Sequence, residues 1–206
     1  LSSMFKFSVA EILLYALLLF IFFLLIYTLS YVIIYLIKGK LKFALKKIMQ
    51  FISIVLSLAF FITGTFIFSG GLNYNGSDFA TKAGYELRTY TTQELYDLCI
   101  YLGTEAGNIR NKIEKNSDNT ATYNYSFDEL ICKSASGYEK ISKRFEFLDG
   151  YYSDAKRVIS SEIMCYFQIT GIYPYIVPEA LINTKTPVAS LPLTICHEMA
   201  HQRGIA

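Results

Sequence analysis

Acidic side chains are almost missing from the first third of the chain. Residues 1–69 contain one, Glu11, against six lysines, while residues 70–206 carry sixteen acids and thirteen bases. The formal net charge of +2 therefore averages two unlike parts. Lysines crowded beside apolar runs speak of lipid and topology, and they exclude a nucleic-acid surface as the reading of the basic excess. Histidine is equally scarce: the chain has two, His197 and His201. No glycine-rich phosphate loop occurs, and no CxxC pair that would mark a thiolate metal site. The chain begins at Leu1 rather than Met and stops at Ala206, two residues after an expected helix end. It is therefore expected to be a fragment cut at both ends.

Apolar residues are what the chain has in excess, at 53% with a mean hydropathy of +0.34. Residues 12–37 contain no charge over 26 positions. A membrane span needs roughly 20, and a signal-peptide core only about 7–15, so an uncleaved span is expected. A buried core helix is the alternative, but a run this long without a polar face suits lipid better. A second uncharged run, Ile48–Ser69, carries Gln50 and Thr63-Gly64-Thr65 and still reads as a span. Between them KGKLKFALKK (38–47) holds five lysines and no acid. The positive-inside rule puts this loop in the cytoplasm and residues 70–206 outside, in a multi-pass protein of the cell membrane. Headgroup anchoring by the same lysines is compatible with that orientation.

Beyond Gly70 the composition changes. GGLNYNGSDF (70–79) is turn-rich and marks the exit from the membrane. Thr91 with Glu94, and Ser126 with Glu129, stand at capping-box spacing. They open helices expected to run to about Lys115, with Leu95, Leu98, Cys99 and Leu102 on one face, and toward Phe147. A loop (116–126) separates them. A third helix is expected over Ala155–Phe167. GIYPYIVPEALINTKTP (171–187) should be irregular, with a short extended piece near Ala180–Asn183. The expectation is a mainly α protein: two transmembrane helices, then a mostly helical extracytoplasmic domain with one short extended segment. Cys99, Cys132, Cys165 and Cys196 each fall in an expected helix among apolar neighbours and are expected as buried free thiols. A location outside the cell permits disulfides, so a Cys99–Cys132 or Cys132–Cys165 bridge stays open.

Both histidines fall in one motif, His197-Glu198-Met199-Ala200-His201, the HExxH pattern. Ser190 can cap its helix, Pro192 suits the first turn and Gly204 the C-terminal end. On a helix, residues four apart share a face, so both imidazoles can reach one zinc ion. Glu198 then lies beside the metal's open position and can act as general base. Leu193, Ile195, Met199 and Ala200 supply the apolar flanks of a buried helix. A chance HExxH on a surface helix is the bland alternative, made less attractive by the absence of any other histidine. A catalytic zinc normally takes three protein ligands. The spacing HExxHxxG continues to HExxHxxGxxH, a metzincin pattern whose third His would stand just after Ala206. A Glu on a later helix, the gluzincin pattern, is the other option. Glu179 and Asp154 are weaker candidates, because both precede the motif.

FSVAEILLY (7–15), GGLNY (70–74), PEALIN (178–183) and LPLTICHEMAHQRGIA (191–206) together resemble an uncharacterised bacterial family of membrane proteins, a domain-of-unknown-function group with zincin-like features. The resemblance runs the length of the chain and implies a zincin-like outer domain. It also implies a further span before the region of Leu1, and an acidic segment after the HExxH helix that supplies a Glu ligand. It thus favours the gluzincin option, with His197 and His201 as ligands and Glu198 as catalyst.

The expected function is a membrane-anchored zinc metallohydrolase, a peptidase acting on an extracytoplasmic peptide or protein. A cell-wall or lipid-linked amide would use the same residues, with membrane lipid as the other partner. Intramembrane proteolysis fits poorly, since Lys185, Gln202 and Arg203 flank the motif. The alternative is a non-catalytic sensor or assembly module stabilised by zinc, which has no need of Glu198 as a base. A transporter subunit finds no support, as neither span carries an internal ionisable residue.

Overall fold

The computed structural model describes residues 4–122 and 124–205. Two long helices come first, α1 (Val9–Ile37) and α2 (Leu41–Ser69), of 29 residues each. At 1.5 Å per residue each is about 43 Å long, against about 30 Å for a bilayer's hydrocarbon core. Their most apolar windows have mean hydropathies of 2.9 and 2.3, of which only 6% and 0% is buried. The core helix of a soluble protein would be mostly covered. Both helices are long and apolar enough to cross a membrane.

The two helices fold back on one another through Lys38-Gly39-Lys40, where Gly39 adopts the left-handed φ of 65° that glycine tolerates. Tyr35 stacks on Phe43 at 5.6 Å, and the Lys47 ammonium lies over the Tyr27 and Tyr31 rings. The expected lysine loop is shorter than the sequence suggested. Leu41–Lys47 contains no helix breaker and winds into the first turns of α2.

After α2 come a 3₁₀ turn, Gly71–Asn75, and the short α3 (Phe79–Lys82). Next are α4 (Thr92–Lys112) and α5 (Phe127–Ile141). Both expected capping boxes are formed, at Thr91/Glu94 and Ser126/Glu129. Both helices end earlier than expected. No residue of α4 is buried, and its apolar face, Leu95, Leu98 and Leu102, is exposed.

The rest of the chain builds a small sheet against one helix. Strand β1 (Lys156–Arg157) takes residues expected to start a helix, leaving α6 only Ser161–Tyr166. Strand β2 is Gly171–Ile172 and β3 is Leu181–Ile182. Their order is β1-β3-β2, with β1 parallel and β2 antiparallel to β3. The last helix, α7 (Leu191–Ala200), packs on α5 and β3. Leu130 and Ile131 of α5, Ala180 and Ile182, and Leu191, Ile195 and Met199 of α7 form this core.

All four cysteines are free thiols, but their expected burial is not found: Cys99, Cys132 and Cys165 are exposed and Cys196 is half-buried. In α5 the helical period explains it. Leu130, Ile131 and Ser134 turn inward, which carries Cys132 to the outer face.

The start of α1 is tied to the sheet by two carboxylates. Glu179, 1% exposed, accepts hydrogen bonds from Ser8 Oγ and from the free first-turn amides of Val9 and Ala10. It also pairs with the buried Lys156 ammonium at 2.6 Å. In return Glu11, the lone acid of the first 69 residues, accepts from the amides of Ile159 and Ser160 at 2.8 and 2.7 Å.

Candidate functional site

Helix α7 carries the HExxH residues. Ile195 and Met199 turn one face into the core at 0% and 1% exposure, whereas Leu193, expected to be buried, faces outward. Pro192 sits in the first turn as expected. Ser190 does not cap the helix with its side chain; its hydroxyl donates instead to the Pro187 carbonyl. At its far end the helix tightens into a 3₁₀ turn, His201–Arg203, closed by Gly204 at φ 64°. The Gln202 amide locks this turn, accepting from the Ser153 N–H at 2.7 Å and donating to the Ser153 carbonyl at 3.0 Å.

The spacing of four brings the imidazoles of His197 and His201 together, with ring centroids 4.9 Å apart and planes at 86°. His201 Nδ1 lies 2.6 Å from the Ile205 carbonyl oxygen. A carbonyl can only accept, so Nδ1 carries the proton, and in the neutral ring Nε2 keeps its lone pair. Metal-binding histidines are oriented by this kind of bond. Burial lowers the pKa of His201, the Ile205 bond opposes this, and the neighbouring His197 adds to the lowering. The rings of Tyr173 and Tyr175 flank it, and the Tyr175 hydroxyl is 3.4 Å from Nδ1.

Glu198 is 4% exposed, and among the described residues it makes no hydrogen bond or ion pair. Burial alone pushes its carboxyl up to about 7. Gly171 of β2 lies directly against it. A Cβ at that position would stand 2.6 Å from Glu198 Oε1 and 2.8 Å from Thr194 Cγ2. The close approach of strand to carboxylate therefore requires glycine.

His197, Glu198 and His201 open onto a cavity of about 610 Å³. Its second wall is the segment from Gly171 to Ile176, and its third is the end of α2 with Tyr74 beyond it. Tyr175 joins these walls. Its ring meets Phe66 edge-on at 6.3 Å and lies so close over Gly70 that a side chain there would collide with it. Gly171, Tyr175 and the α2 residues escaped the sequence reading. The paired tyrosines about Pro174 were its only local signal for this wall.

The weaker ligand candidates lie elsewhere. Glu179 is committed to Lys156 and to the start of α1, and Asp154 is exposed beside Phe5 and Asp128. Among the described residues no group of three His, Cys, Asp or Glu is placed to hold a metal ion. The third-ligand position expected beyond Ala206 lies outside the described residues.

The family described as "Protein of unknown function (DUF3810)" matches residues 1–206. The chain belongs to this family. No curated protein and no solved structure matches it. The family's description assigns no activity, so the chemistry must be argued from the site.

Proposed function

We propose that the protein is a membrane-anchored zinc metallohydrolase, a peptidase, with His197 and His201 as metal ligands and Glu198 as general base. The observation that carries this reading is the state of Glu198. Its carboxyl is largely covered by protein yet makes no hydrogen bond to the described residues, and it opens onto the same cavity as His197 and His201. It sits beside two imidazoles on one helical face, one with Nε2 left free by its bond to Ile205. That donor set suits zinc, which takes imidazole nitrogen and leaves a neighbouring carboxylate free for proton transfer.

A zinc ion held there would supply Lewis acidity, polarising a carbonyl and acidifying water. Glu198 takes the proton from water as its oxygen adds to the amide carbon, and returns it to the leaving nitrogen as the C–N bond breaks. Tyr173 and Tyr175 flank His201, and Gly171 lets the backbone of β2 approach the carboxylate. Strand β2 stands at the edge of the sheet, next to the cavity, where an extended peptide could lie alongside it. A third ligand, a glutamate on the gluzincin pattern, would come from chain following Ala206. The lysines at 38–47 orient the hairpin with its turn in the cytoplasm, which puts the site on the outer face of the membrane.

The test uses the intact protein purified in detergent, with metal analysis beside a peptide-library cleavage assay. Glu198→Gln should keep its zinc and lose about 10²–10⁴-fold in hydrolysis. His197→Ala should lose the metal as well. Glu198→Gln cutting at the wild-type rate would sink the catalytic reading, and unchanged zinc in His197→Ala would sink the ligand assignment.

A further inference from the structure

We propose that the substrate is presented from the bilayer: a peptide amide tethered to a long acyl chain, with the chain lying along α2 and the amide at His197, Glu198 and His201. This rests on the hydrolase reading above and adds the substrate class.

The cavity does not end at the imidazoles. Ile62, Thr63 and Phe66 of α2 line the same space as His197, Glu198 and His201. Ile62 and Phe66 stand four residues apart, so they share one face of α2. They precede its end at Ser69 by seven and three residues, which places them about 10 and 5 Å back along the apolar helix. The cleft thus descends from its ionisable end to a stretch of α2 that carries no charge. Both side chains are exposed toward it, as is Ile176 opposite. A substrate matching this gradient is polar at one end and hydrocarbon at the other. A water-soluble peptide would leave Ile62 and Phe66 uncovered, and a small polar amide would not reach them.

Strand β2 chooses between an acylated peptide and a transmembrane helix: it stands at the edge of the sheet and lines the cavity, and a strand edge pairs with extended backbone rather than with a helix. Tyr175, packed between Phe66 and His201, holds the two ends of the cleft in one frame.

The experiment has a binding arm and a turnover arm, both in lipid nanodiscs of phosphatidylethanolamine and phosphatidylglycerol. In the binding arm, Glu198→Gln protein is irradiated with an N-palmitoylated peptide bearing a diazirine in the chain, and labelled residues are mapped by mass spectrometry. Labelling at 62–66 and 173–176 that excess unlabelled lipopeptide competes away is expected. Uniform labelling of lipid-facing positions such as Phe20 and Phe22, without competition, overturns the proposal. In the turnover arm, wild type should cut the palmitoylated peptide at least ~10-fold more efficiently in kcat/KM than the same peptide without the chain, and Phe66→Ala should lower lipopeptide cleavage by about as much. Phe60→Ala, exposed on α2 outside the cleft, should change neither. Equal cleavage of both peptides, or cleavage of a transmembrane peptide in preference to the acylated one, refutes the substrate class and leaves the hydrolase intact. Competable labelling of 62–66 with no cleavage of any peptide upholds the lipid cleft and refutes the hydrolase instead.

Discussion

The joint between α1 and the sheet offers a sharp energetic test. Lys156 and Glu179 are 5% and 1% exposed at the side chain, with Nζ and Oε1 2.6 Å apart. The Glu179 carboxylate also receives Ser8 Oγ, Val9 N–H and Ala10 N–H at 3.1–3.3 Å. Glu179→Gln keeps the shape and one acceptor oxygen, but it takes the negative charge away from the buried Lys156 ammonium and from the N-terminus of α1. Breaking a buried pair from one side costs about 3–5 kcal/mol, mostly through the charge left behind. Removing that charge as well should restore stability. The double variant Lys156→Met/Glu179→Gln is therefore expected to regain about 2 kcal/mol or more over Glu179→Gln alone, since neutral replacements of buried pairs are often tolerated. The assay is reversible unfolding in mixed micelles of wild type, both single variants and the double, read as a double-mutant cycle. A loss under ~1 kcal/mol in Glu179→Gln would show that the carboxylate does not hold the joint. A double variant less stable than either single would show that the Lys156 charge is not the source of the cost.

Gly171→Ala would put a methyl group 2.6 Å from Glu198 Oε1. Displacing the carboxylate by even part of an ångström should lower turnover about 10–100-fold while zinc content holds, and unchanged turnover with unchanged zinc would remove Gly171 from the site. The proposed orientation is checked by single cysteines in intact cells, in a background with the native cysteines replaced. Ser77→Cys should react with an impermeant thiol reagent and Lys42→Cys should be protected; the opposite pattern reverses the topology.

What could be read in the sequence was local. The HExxH pair, both capping boxes and the two apolar helices depend on neighbours within a few positions, and each is found, although α2 begins at Leu41, seven residues before the expected Ile48. What escaped was pairing across the chain. Lys156–Arg157 was expected to start a helix, and becomes a strand because Leu181–Ile182 lies beside it. Glu11 read only as the exception in a basic segment, since its partners at Ile159 and Ser160 are about 150 residues away. Glu179 was weighed as a metal ligand because burial of a carboxylate against a helix N-terminus leaves no mark in its own neighbourhood. Tyr175 fell in a stretch expected to be irregular, and only its contacts with Gly70, Phe66 and His201 give it a role.

These long-range contacts also explain how so small a sheet can hold a site. Strands of two residues contribute few ladder hydrogen bonds, and isolated pairs of strands are marginal in water. Here the flanks of the strands are pinned from outside. The Lys156 end of β1 and the segment leading into β3 are bonded to the start of α1 through Glu179. The connection from β2 toward β3 is pressed onto the end of α2 through Tyr175. The start of α1 and the end of α2 lie on the same side of the hairpin, opposite its lysine turn. Both helices therefore brace the sheet, and the sheet braces α7 through Ala180, Ile182, Ile195 and Met199. A site built this way cannot lift off the hairpin without breaking a buried ion pair and uncovering Tyr175. If the hairpin lies in a bilayer, His197, Glu198 and His201 are held at its surface by the same contacts that fold the sheet, and the cleft's descent along α2 is part of that frame.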